Sequence, residues 1–221
     1  MKASDRIRAY VEEEISSGRW LPGDAIDEAA IEQQFQVSRT PVREALLQLA
    51  AQGWISTQPR GGHHVAKMTL QQLLSLWELL AELEGVAVRL ACERMSDREI
   101  VQLADLHEAA RDVVEREDLE GWQQANLSFH ESIYSGARNP FLRQELLRIR
   151  FRTGVYRRHA FAALGHLQAS YEQHTAILQA LREREPRHAA QEMVDHMRPG
   201  RDARSLNDFV VKLPADLLSA A

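Results

Sequence analysis

Two groups of residues in this 221-residue chain have the types and spacing to do chemistry. The first is Ser38-Arg39-Thr40-Pro41-Val42-Arg43. Ser38 or Thr40 can cap a helix by accepting from its first free backbone N–H groups. Pro41 then falls in the first turn, where its fixed φ and missing donor do no harm. Arg39 and Arg43 are one turn apart and share a face, with Thr40 beside them. Two guanidinium groups and a hydroxyl at a helix tip suit the major groove of DNA. There Arg can grip guanine or phosphate with two hydrogen bonds, and Thr can contact phosphate or a thymine methyl.

The second group is Asn126, His130, His174 and His196. On a helical wheel of about 100° per residue, Asn126 lies inside the stripe of Trp122, Phe129 and Ile133, with His130 on its edge. His174 lies in the arc of Ile177, Leu178 and Leu181, and His196 abuts Ala189, Ala190, Met193 and Met197. A core neighbour can satisfy any single inward histidine, and exposed faces would need no partner at all. Three converging neutral imidazoles satisfy one another poorly, because each offers one donor and one acceptor. A divalent metal satisfies all three at once.

The elements that must position these groups are legible in the apolar periodicity. Val42, Ala45, Leu46, Leu49 and Ala50 give the arginine helix a buried stripe. Asp27 to Phe35 reads as a preceding short helix, with Gln36-Val37 as the turn between them. Gly53 to Thr57 and His64 to Ala66 read as two short strands around Arg60-Gly61-Gly62. Helix, turn, helix and a glycine-tipped hairpin make a winged helix-turn-helix. Ahead of it, Ser4 to Ser17 forms a helix with Ile7, Tyr10, Val11 and Ile15 inward, and Leu21-Pro22-Gly23-Asp24 forms a turn. Beyond Thr69 the pattern is helical throughout: Thr69–Met95, Ser96 with a capping box on Glu99 to about Arg116, Leu119–Ser135, Pro140–Leu164, His166–Arg184, and a last helix from Pro186. The expected fold is mainly α, with the winged domain at 1–68 and an all-α bundle at 69–221.

Composition is ordinary for a globular protein, at 44% hydrophobic and 27% charged. No apolar run approaches the roughly 20 residues of a membrane span. The first residues lack the apolar core of a signal peptide, and Cys92 is the sole cysteine, so a reducing cytoplasm is the expected setting. The net charge is −5. Residues 1–67 carry eight Lys and Arg against nine Asp and Glu. Long-range steering toward DNA is therefore weak, and binding must rest on local contacts and two half-sites.

Leu21-Pro22-Gly23-Asp24, Val37 to Leu46, Gly53-Trp54-Ile55 and Arg60-Gly61-Gly62 resemble the DNA-binding domain of GntR-type bacterial transcriptional regulators. Phe129-His130 with Asn139-Pro140, Glu172-Gln173-His174 and Asp195-His196-Met197 are similar to the effector-binding domain of the FadR branch of that family. The resemblance implies DNA contacts from Ser38, Arg39, Thr40 and Arg43 on the recognition helix and from Arg60 and Gly61 on the wing. It also implies a homodimer on a palindromic operator and a small organic acid as effector. Two departures stand out. Metal-binding members carry Asp where Asn126 stands, so a zinc or nickel ion on Asn126, His130, His174 and His196 would be held less tightly. The family places Arg where Leu80 stands, which leaves Glu84, Arg150 and Arg157 as the remaining polar candidates for an effector pocket.

The function expected is a ligand-responsive, DNA-binding repressor that is not an enzyme. The rival is a metal-dependent all-α enzyme built on His130, His174 and His196. Against it, no inward acid is expected beside those histidines as a general base, and it leaves the first third unexplained.

Overall fold

The structure is a computed structural model that describes residues 2–58, 61–164, 167–198, 210–211 and 213–219, without the side chains of 160–164. Two compact units emerge. One comprises Met1–Leu73, Phe151–Arg157 and Pro214–Ala221, and the other Leu74–Arg150 and Arg158–Leu213.

The first unit opens with α1 (Ala3–Ser16), followed by β1 (Ala25–Ile26), α2 (Glu28–Phe35), α3 (Arg39–Ala51), β2 (Ile55–Thr57) and β3 (His63–Val65). Asp27 caps α2 by accepting from the Ala30 N–H at 3.0 Å. The turn to α3 is made by Gln36 in the left-handed region, φ 53°, which lets the Val37 N–H reach back to the Glu32 carbonyl at 3.1 Å. Ser38 occupies the N-cap position of α3, but neither of the sequence-based capping candidates caps: the Ser38 side chain makes no cap bond, and Thr40 lies within the helix. Pro41 is in the first turn, as expected. Ile7, Val11, Ile31, Val42, Ala45, Leu46 and Leu49 close the core with Trp54, Ile55 and Val65.

The wing is a hairpin of β2 and β3 paired antiparallel, with Ile55 opposite Val65 and Thr57 opposite His63. At its tip Gly61 and Gly62 have φ of 89° and 88°, a conformation that side chains resist, so the glycines belong where the chain reverses. A third strand was not foreseen. Ala25 and Ile26 pair with His64 and His63, giving the order β1-β3-β2. Two residues are too few to show alternation in sequence.

Phe151, farther along the chain, packs against this core. The Tyr156 hydroxyl accepts from the Met68 N–H at 3.3 Å and donates to the Leu217 carbonyl at 3.2 Å, and the Ser219 N–H donates to the Met68 carbonyl at 3.0 Å. Neither contribution was foreseen.

Among the described residues the second unit is built of helices, α4 (Leu70–Arg94), α5 (Asp97–Ala109), α6 (Arg111–Glu115), α7 (Leu119–Gly136), α8 (Pro140–Leu164), α9 (Leu167–Arg182) and α10 (Pro186–Met197), with the start of α4 and the stretch 151–157 of α8 belonging to the first unit. Ser96 and Glu99 form the expected capping box. The helix expected from Ser96 to about Arg116 instead divides at Ala110, which ends α5 and begins α6. That break lets Ala110 and Val114 pack with Trp122, Leu167 and Tyr171. Helix α10 lies on α9, and α5 contacts both α7 and α9, so the faces carrying the histidines look inward. Among the described residues no helix is long and apolar enough to cross a membrane.

Candidate functional site

Helices α7, α9 and α10 each deliver one imidazole to the same place. One ring nitrogen from each of His130, His174 and His196 lies within 4.8 Å of the others. His130 is fully buried and His174 is 1% exposed. The ring pairs are close: 5.3 Å between the His130 and His174 centroids, 5.4 Å for His130 and His196, and 4.7 Å for His174 and His196. The Nε2 atoms of His174 and His196 are 3.1 Å apart. Asn126 is half-buried on α7, one turn before His130.

Each ring is held from outside. His130 Nδ1 is 2.9 Å from a Glu84 carboxylate oxygen, and His196 Nδ1 is 2.8 Å from the Gln173 side-chain oxygen. With Nδ1 engaged as donor, Nε2 carries the lone pair that a metal needs, the arrangement in which outer partners fix a ligand's tautomer. His174 is stacked on Phe129, with centroids 4.1 Å apart and an interplanar angle of 7°.

Glu84 departs most from expectation. It is fully buried on α4 and does stand beside His130, so the absence of an inward acid near the histidines was wrong. Its charge is committed elsewhere: Arg150 Nη1 donates to one carboxylate oxygen at 2.7 Å, and the Tyr134 hydroxyl donates to the same oxygen. Arg150, 1% exposed, is the buried counter-ion of this acid. Leu80 is fully buried in the hydrophobic core. Arg157 falls in the segment that belongs to the first unit.

His107 was passed over and belongs with this cluster. It is buried, stacked on Tyr171 at 4.1 Å, and 6.1 Å from His174. Its spacing from Ile100, Leu103 and Ala104 along α5 carried that signal. Cys92 is a buried free thiol.

Burial opposes protonation of His174, and the neighbouring His196, His130, His107 and Arg150 add to it, so the imidazole titrates well below its usual range. The same histidine in the unfolded chain takes up a proton near pH 6.5, so the unfolded state binds more protons below that pH. Glu84 acts in the same sense. Burial alone would raise its carboxyl, but His130 and Arg150 outweigh burial and hold it below the ordinary range. The stability it brings is present above about pH 4 and lost on further acidification. The urea midpoint of the chelator-treated protein therefore falls between pH 7.5 and 5.5 and continues to fall below pH 4.5. A flat profile would refute this reading.

The first unit presents the other candidate face. Ser38, Arg39, Thr40 and Arg43 are all exposed on α3. Arg39 is 68% exposed and only loosely paired with Glu32 at 3.4 Å. Gly61 is exposed at the wing tip, and Arg60 lies outside the described residues. His63 does not reach outward with the wing; its Nδ1 is 2.9 Å from a Glu28 carboxylate oxygen.

Two family models match the chain: the bacterial regulatory proteins of the gntR family over residues 3–65, and the FCD domain over residues 75–199. The chain belongs to the GntR family. Within it, the FCD match places the chain in the FadR branch of DNA-binding transcriptional regulators, and the enzyme alternative finds no support there. The chain is 43% identical to the Nta operon transcriptional regulator of Aminobacter aminovorans over 89 residues, 40% of this chain and 42% of that protein. It is 26% identical over 197 residues to the transcriptional repressor GlaR of Escherichia coli, covering 85% of this chain and 89% of that one. The solved structure of E. coli McbR/YncC shares the fold with a TM-score of 0.79 at 23% identity, over 96% of this chain and 99% of that chain. As a GntR-family protein, the chain binds DNA through its helix-turn-helix and pairs it with an effector-binding helical domain.

Proposed function

We propose that this regulator is a homodimeric, cytoplasmic repressor released from a palindromic operator by a small organic acid bound in its helical domain. In this reading residues 1–68 bind DNA and residues 69–221 bind the effector and dimerise, and the family matches over 3–65 and 75–199 support that division. The carrying observation is the convergence of His130, His174 and His196 within 4.8 Å inside the domain matched as FCD. The donor set fits a divalent ion such as zinc or nickel: three imidazoles, with His130 oriented by Glu84 and His196 by Gln173. Asn126 is the fourth donor in this reading, and its neutral amide lowers affinity relative to a carboxylate.

When bound, the ion supplies the positive charge that anchors an acid's carboxylate. Leu80 offers the acid no cation, and the charge of Arg150 is already neutralised by Glu84. Ligand binding then favours one packing of the helices, and the spacing of two recognition helices changes with it. A dimer reading two half-sites tolerates little change in that spacing. Ser38, Arg39, Thr40 and Arg43 contact the operator from α3, and Arg60 and Gly61 contact it from the wing.

Gel shift on DNA from upstream of its own gene tests the reading. Salt-sensitive binding that depends on a palindrome and weakens with added acid is expected; its absence would defeat the proposal. For the metal, elemental analysis and zinc titration of His174→Ala should show at least the loss typical of removing an outer-sphere partner, roughly 10- to 100-fold. Wild-type zinc affinity in that variant would remove the three-histidine site.

A further inference from the structure

Among the described residues, two buried polar groups near His174 have no hydrogen-bond partner. Trp122 is 2% exposed and Ser170 is 4% exposed, and within that set neither the indole Nε1 nor the hydroxyl oxygen makes a hydrogen bond. Buried polar atoms are nearly always satisfied, so such a pair asks for an explanation. The two are tied to the same histidine. Trp122 on α7 stacks with His174, centroids 5.4 Å apart at 27°, while Ser170 lies one turn before His174 on α9 and shares its face.

The chemistry of the pair is specific. An indole N–H can only donate, and a serine hydroxyl can donate as well as accept. Neighbouring ring nitrogens do not receive those protons: His107 Nε2 meets the Thr175 hydroxyl, and His196 Nδ1 is itself a donor, to the Gln173 side-chain oxygen. The walls around the pair are aromatic, with Phe129 and Tyr171 against His174 and His107. Such a place suits the carbon chain of a small ligand that carries an acceptor at its far end.

We infer that Trp122 and Ser170 form a second anchoring point of the effector site, reading a hydroxyl, keto or second carboxylate group on an acid whose first carboxylate lies at the histidine cluster. The inference rests on the proposed metal-and-acid reading of that cluster. It narrows the effector from organic acids in general to short acids with a second hydrogen-bond acceptor.

The test is calorimetric titration of the zinc-loaded full chain with butyrate, 3-hydroxybutyrate and succinate. Wild type should bind one or both of the latter about tenfold tighter than butyrate, the worth of one well-made hydrogen bond. Ser170→Ala and Trp122→Phe should each cut that preference severalfold while leaving butyrate and zinc affinity unchanged. Ser170→Ala should not lower the Tm of the ligand-free protein, since it deletes a buried hydroxyl with no partner; it keeps the test available if Trp122→Phe folds poorly. Equal binding of all three acids by wild type, or a preference that survives in both variants, overturns the subsite alone. Failure to bind zinc, or to bind any of the acids, overturns the subsite together with the reading beneath it.

Discussion

Arg43→Ala should weaken specific operator binding at least about 30-fold while leaving the protein folded. Arg43 is exposed on α3, and the packing of that helix is carried by Val42, Ala45, Leu46 and Leu49, which the substitution does not touch. Its stability cost is that of an ordinary surface change, within about 0.5 kcal/mol. A bidentate arginine contact to guanine is worth about 1–3 kcal/mol of discrimination. In a homodimer both half-sites lose it, so the loss is about 2–6 kcal/mol, or roughly 30-fold to 10⁴-fold in affinity. Arg43→Lys separates charge from geometry, because an ammonium cannot reproduce the planar fork. That variant should keep most of its salt-dependent binding to scrambled DNA and lose its preference for the operator. Fluorescence anisotropy against both duplexes measures each quantity. Unchanged operator affinity in Arg43→Ala would strike Arg43 from the contact surface.

Glu84→Gln destabilises the helical unit by about 3–5 kcal/mol. The substitution is nearly isosteric, so it opens no cavity. It removes the negative charge that Arg150 meets at 2.7 Å, in a site where both side chains are at most 1% exposed. A guanidinium cannot give up its proton to escape, so it remains charged in the core. For a unit of this size the Tm falls by roughly 6–20 °C. Replacing both members with apolar residues, Glu84→Leu with Arg150→Met, should recover most of the loss, since a buried pair as a whole contributes little net stability. A drop of less than about 1 kcal/mol in Glu84→Gln would mean that the pair is not desolvated as described.

Much of this protein can be read from its sequence because much of it follows local rules. The winged domain declares itself through Pro41 at a helix start, glycines at a hairpin tip and a regular apolar stripe. The three histidines could be grouped because the helical period assigns each to an inward face. Harder to see were features that depend on separation along the chain. Glu84 was named as a pocket candidate, but its pairing with Arg150, Tyr134 and His130 joins positions 46 to 66 residues apart, and no periodicity encodes which inward polar groups meet. Arg150 was named only as a polar pocket candidate, because a single helix does not tell a solvated arginine from a buried one. The association of residues 151–157 with the first unit depends on Phe151 and Tyr156, two aromatics that read equally well as bundle core. His107 could have been found from its own helix but shares no spacing with the other histidines.

The stacking of Trp122 on His174 has a practical side. Trp122 is one of four tryptophans in the chain, and its ring stacks on that of a proposed ligand, centroids 5.4 Å apart. Its emission therefore gives the pocket a built-in fluorophore. Under the proposed metal reading, a closed-shell ion and an open-shell one on the same imidazole should leave different intensities, so the brightness of the untreated protein reports whether an ion is held and of which kind, with no label attached.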